Sequence, residues 1–186
     1  FPKEEVTWIE MNFPVLKSTL VEVHFQLTYL YDPFTNRKLQ NYLGRKLKHA
    51  EELKIEEGSI PVLDTETNIV FQLTHIYRHL FFEGIGMRQI MDLYYLLQKD
   101  DVTTTLPEIR KILKEIKMGR FTSGLMWIMQ ETFGMEHARM ILGPDEKEGR
   151  FLLSEIMKSG NFGHDDERVG NRVEMNRWQR LTWGTK

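Results

Sequence analysis

Asn68-Ile69-Val70-Phe71-Gln72-Leu73-Thr74-His75-Ile76-Tyr77-Arg78-His79-Leu80-Phe81-Phe82 is the stretch on which the reading of the fold turns. Val70, Leu73, Ile76, Tyr77 and Leu80 recur at intervals of three and four, which is one apolar face of an α-helix. Asp64 or Thr65 stands where a cap belongs, and Glu66 or Thr67 falls in the first turn. Gly84-Ile85-Gly86 breaks the pattern, and Met87–Gln98 resumes it with Ile90, Met91, Tyr94, Tyr95 and Leu97. A connection that short makes the two helices neighbours.

Downstream the helical pattern continues. Leu106–Met118 is expected as a helix with Pro107 near its first position, where the missing N–H costs nothing. Arg120–Phe133 follows, ended by Gly134, then a short helical piece at His137–Leu142 and a helix at Lys147–Lys158. Gly160–Gly163 reads as a turn, residues 164–172 as a charged stretch, and Val173–Trp183 as a further helix.

Upstream the period changes to two. Val6–Phe13 is expected as a strand, with an open edge that can pair with another segment or chain. From Val21 to Tyr29 odd positions are mostly apolar and the even ones are Glu22, His24, Gln26 and Thr28. The expectation is a half-buried strand over Thr19–Tyr31, with its polar face formed by those four residues and Asp32-Pro33 as its exit. Asn36–Glu57 is mixed. It has room for a short helix, with Lys46, Lys48 and His49 in solvent, and Ser59–Leu63 is a short strand. Strands first and helices afterwards define an α+β fold, N-terminal antiparallel strands followed by a mainly helical region. The expected divisions are 1–63 (a partial sheet), 64–163 (the helical region) and 164–186 (a charged tail or helix).

The composition narrows the chemistry. The 186 residues carry a net charge of -2, which gives no electrostatic case for nucleic-acid binding. There is no cysteine, so thiolate nucleophiles and cysteine zinc sites are excluded; a cytoplasmic location is expected. No apolar run is long enough for a membrane helix. Phe1-Pro2 reads as the start of an internal or processed segment.

Two sets of polar residues are candidates for a site. Glu22 and His24 are two apart on the strand, so both point to one side of the sheet; a carboxylate there can hold a divalent cation. The simpler reading is a solvated sheet face. His75, His79 and Glu83 lie at successive intervals of four and share a helix face. They can line a ligand cleft, bind a metal through the two histidines, or bond to neighbouring loops. The Glu is out of place for a His-Glu-x-x-His protease. Arg88 and Asp92, also four apart, are expected as an intrahelical ion pair or a tie between helices.

Leu20-Val21-Glu22-Val23-His24-Phe25 resembles a strand of the uncharacterised bacterial nucleotidyltransferase family, in which a carboxylate and a His precede an aromatic. Thr74–Leu93, with its histidines, its Gly84-Ile85-Gly86 turn, Arg88 and Asp92, is similar to that family's helical signature. Ser159-Gly160-Asn161-Phe162-Gly163 resembles a later segment. The resemblance implies a polymerase-beta-like nucleotidyltransferase core followed by helices, and transfer of a nucleoside monophosphate from a nucleoside triphosphate (NTP) to an unknown acceptor. It implies Mg²⁺ as cofactor, Glu22 as a catalytic metal ligand, and His24, His75, His79, Glu83 and Arg88 as substrate contacts. The family's Gly-Ser turn and adjacent acidic pair have no counterpart here, so this segment alone is not expected to be active. The alternative is a non-catalytic nucleotide- or protein-binding module on a degenerate version of the same fold.

Overall fold

The computed structural model describes residues 10–16, 19–82 and 84–159. The elements run β1 (Glu10–Leu16), β2 (Thr19–His24), α1 (Pro33–Leu47), β3 (Glu51–Ile55), β4 (Gly58–Val62), α2 (Thr65–Phe82), α3 (Met87–Leu97), α4 (Val102–Glu115), α5 (Gly119–Phe133) and α6 (Glu146–Ser159). A 3-10 turn at His137–Arg139 stands in place of the short helix expected to Leu142. The architecture is α+β: two antiparallel hairpins, β1-β2 and β3-β4, and six helices among the described residues. The expected C-terminal helix and the turn at Gly160–Gly163 lie outside the described residues.

The core is helical. Leu73 and Ile76 of α2 meet Ile90 and Leu93 of α3, Ile109 and Leu113 of α4, and Leu125 and Ile128 of α5 in one buried cluster. It extends to Leu39 and Leu43 of α1 and to Leu152 and Ile156 of α6. α5 and α6 approach closely because Gly124 and Gly149 carry no side chain. A Cβ at Gly124 would lie 2.7 Å from Leu152, and one at Gly149 would run into the Trp127 ring.

The strand expected over Thr19–Tyr31 stops at His24. Beyond it the burial phase reverses: Thr28 and Leu30 are buried, Leu27 and Tyr29 only partly. The reason is that α1 supplies the backbone partners. Gln40 Nε2 donates to the Thr28 carbonyl at 2.9 Å, and the Leu30 N–H donates to Asn36 Oδ1 at 3.0 Å. Side chains of a following helix thus replace a ladder partner, and period-two patterning no longer governs which residues face inward.

α1 is longer than the short helix expected. Asp32, read from sequence as an exit turn, is its N-cap, accepting from the N–H groups of Phe34 and Thr35, with Pro33 in the first turn. Thr35, Leu39, Tyr42 and Leu43 form the buried stripe. Strand β3 has no counterpart in the sequence reading because its residues are all exposed; it is identified by its pairing with β4, Leu53 opposite Ile60. α4 begins at Val102 rather than Leu106, so Pro107 is interior, the sixth residue of the helix. Val102 is fully buried one turn before Leu106 and anchors the extension. Pro107 is exposed, and it leaves the Thr103 carbonyl without its usual helical donor. α5 ends as expected: Gly134 takes a left-handed conformation at φ 66°, and Met135 N–H reaches back to the Met129 carbonyl.

Candidate functional site

α2 carries two polar clusters, one at its start and one near its end. At the start, Asp64 Oδ1 accepts from the Thr67 N–H at 2.6 Å and caps the helix. Lys46 of α1 reaches across to it, with Nζ 2.9 Å from Glu66 and 3.3 Å from Asp64. The Tyr42 hydroxyl donates to the other Glu66 oxygen at 2.8 Å. Lys46 is therefore a tie between α1 and α2, where a solvated residue was expected. Burial alone lowers the Lys46 pKa, but the hydrogen bonds and charges of Glu66 and Asp64 outweigh it and hold the ammonium above its ordinary value. Burial raises the Asp64 carboxyl, yet the bonds from Thr67 and Lys46 prevail and the net shift is downward. Burial first, and then the Glu66 carboxylate, push the Tyr42 phenol far up, so it stays a donor. Tyr42, Lys46 and Glu66 border a cleft of about 230 Å³ between α1, α2 and α4, which Arg45, His49 and Lys111 also line. Every charge in this tie has an opposite charge or donor against it.

Near the end of α2 the arrangement differs. His75 and His79 are one turn apart, half-buried, with ring centroids 4.2 Å apart, and Phe71 continues the row at 5.4 Å from His75. Between the histidines stands Arg78, only 7% exposed. Its Nη2 lies 2.8 Å from His79 Nε2. A guanidinium has donors only, so Nε2 is the accepting nitrogen of that ring. The guanidinium also lies over the Tyr29 ring at 5.2 Å, and the Tyr29 hydroxyl is 3.2 Å from that of Tyr31. Arg78 Nε is buried with no hydrogen-bond partner among the described residues. Gln26 Oε1 and Thr28 Oγ1, in the segment leading to Tyr29, are in the same condition.

The structure brings His75 and His79 together on α2. Glu22 lies in β2 opposite Asn12, and His24 is the exposed last residue of that strand, opposite Glu10. Arg88 is exposed in the first turn of α3, and no ion pair joins it to Asp92, which is also exposed. The expected intrahelical pair is therefore corrected: water solvates both charges better than an exposed contact would. Glu83 lies outside the described residues. Arg78 Nη2 stands against His79 Nε2, so a metal would have to use the other ring nitrogen of His79. Among the described residues no group of three or more His, Asp or Glu side chains can hold a metal ion, so they do not by themselves fit Mg²⁺.

Arg78 was not among the sequence candidates. A signal for it exists: Val70, Thr74 and Arg78 are four apart, all buried, so the arginine continues an inward-facing stripe.

Residues 4–134 match the family described as uncharacterised nucleotidyltransferase. The match runs from the first hairpin through α5 and covers most of the chain, and the chain belongs to this family. No curated protein and no solved structure matches it. Among the described residues no helix is long and apolar enough to cross a membrane.

Proposed function

We propose that this chain takes part in transfer of a nucleoside monophosphate from an NTP to an acceptor nucleophile, with pyrophosphate as the leaving group. The observation that carries the reading is the family match across β1 to α5. In such a reaction the acceptor oxygen attacks the α-phosphorus in line, and the bond to the bridging oxygen of pyrophosphate breaks. Catalysis then rests on positioning and on countering the charge of the triphosphate. In this reading His75 and His79 contact the substrate from α2, with His24, Glu83 and Arg88 as further contacts. Glu22 is the proposed ligand of a Mg²⁺ whose other ligands the described residues do not supply.

The test is a thermal-shift titration with each of the four common NTPs, with and without Mg²⁺, on the wild type and Glu22→Ala. An NTP-dependent rise in Tm that requires Mg²⁺ and is lost in Glu22→Ala is expected. A flat response to all four NTPs would reject the proposal. Pyrophosphate release separates turnover from the second reading, a binding module that holds the nucleotide without reacting it. That second reading is favoured by one observation, the lack of an acidic cluster among the described residues.

A further inference from the structure

We infer that Arg78 is the anchor of an oxyanion site on α2, one that takes the polyphosphate of the nucleotide. The choice of polyphosphate rests on the nucleotidyl-transfer reading above; the case for an anion does not.

The case begins with a charge that cannot be removed. Arginine keeps its proton at any pH a folded protein meets. Taking such a charge out of water is costly unless an opposite charge and hydrogen bonds offset it. Arg78 is 7% exposed, yet among the described residues no carboxylate forms an ion pair with it. It has the Tyr29 ring, 5.2 Å away, and a single side-chain bond to His79. A cation–π contact and one charge-assisted hydrogen bond to a neutral ring offset part of that cost but bring no opposite charge. Nε, buried, has no acceptor among the described residues. The missing component is a negatively charged acceptor.

The geometry favours phosphate. The guanidinium is a planar fork whose paired donors match two oxygens of a phosphate. Tyr29 fixes the plane of that fork from one side, and His79 holds one arm, so Arg78 is oriented before any ligand arrives. In the segment leading to Tyr29 the Thr28 hydroxyl, buried and unpaired, is a donor of the kind a phosphate oxygen accepts; the buried Gln26 Oε1 is an acceptor and offers an anion nothing. Three of the four unpaired buried side-chain atoms among the described residues thus belong to Arg78 and the segment leading into its Tyr29 partner. The Lys46 cluster supplies the contrast: a cation already neutralised by two carboxylates offers an anion nothing.

The test uses inorganic tripolyphosphate as the probe, in calorimetric titrations of the full chain at low and moderate salt. Wild type, Arg78→Met, Arg78→Lys and a control, Arg37→Met on the exposed side of α1, are compared, with circular dichroism reporting the fold. Wild type and the Arg37 variant are expected to bind. Arg78→Met is expected to lose at least tenfold in affinity. Arg78→Lys, which keeps the charge but loses the fork, is expected to fall between, and it carries the test if the Met variant does not fold. Unchanged affinity in a folded Arg78 variant overturns the inference, as does wild type that binds no tripolyphosphate. Binding of tripolyphosphate through Arg78 with a flat thermal response to all four NTPs leaves the anion site standing and rejects the nucleotide reading alone.

Discussion

Lys46 and Arg78 are both cations drawn in from solvent against α2, and their surroundings differ in kind. Lys46 meets Glu66 and Asp64 and has Tyr42 bonded to the same carboxylate. Arg78 meets an aromatic face and an imidazole, with its Nε unpaired among the described residues. The first arrangement is complete and ties α1 to α2. The second lacks a counter-charge among the described residues, which is the basis of the anion site inferred above. A perturbed ionisable cluster is thus not by itself a functional one; whether its charge is already balanced discriminates the two.

The sharpest break of this comparison is removal of each cation in turn. Lys46→Met leaves Glu66 and Asp64 facing one another at the start of α2 with their partner gone. A loss of about 3 kcal/mol in urea-denaturation stability is expected, the scale for breaking a partly buried pair from one side. A loss below about 0.5 kcal/mol would show that the tie contributes as little as an exposed ion pair.

A smaller effect is expected from Asp64→Asn, together with a pH signature. The folded-state pKa of Asp64 is lowered, so its contribution is present above the unfolded carboxylate pKa and is lost as pH falls through the folded value. The gap between wild type and Asp64→Asn is expected to be about 1 kcal/mol at neutral pH, since Asn remains a cap but loses the pairing charge. Urea midpoints measured between pH 7 and pH 3 are expected to converge at the acid end. The Lys46 pKa is raised, so its contribution is undiminished through neutrality and is lost only in strong alkali, above its ordinary 10.5. A gap that stays constant down to pH 3 would mean that Asp64 acts through the cap alone.

The smallest stability change is expected at Arg78. Arg78→Met removes a buried charge that no carboxylate balances among the described residues, so Tm is expected to stay within a few degrees of wild type or to rise. A fall equivalent to more than about 2 kcal/mol, as for a broken buried pair, would place Arg78 in the same class as Lys46 and remove the distinction.

Much of the helical layout was legible because it depends on local spacing. The stripe Val70, Leu73, Ile76, Leu80 and the stop at Gly134 each report backbone geometry that a few neighbouring residues decide. The elements misread were those whose partners are distant. β3 is visible only through its register with β4, α4 starts early because Val102 finds the core, and the segment after His24 leaves the sheet because Gln40 and Asn36 of α1 take its backbone. The site divides in the same way. The sequence by itself placed His75 and His79 on one face of α2, since an interval of four residues requires it. Only the tertiary structure put Arg78 inside, over the Tyr29 ring and without a carboxylate partner among the described residues, because burial and charge balance depend on segments dozens of residues away in the chain.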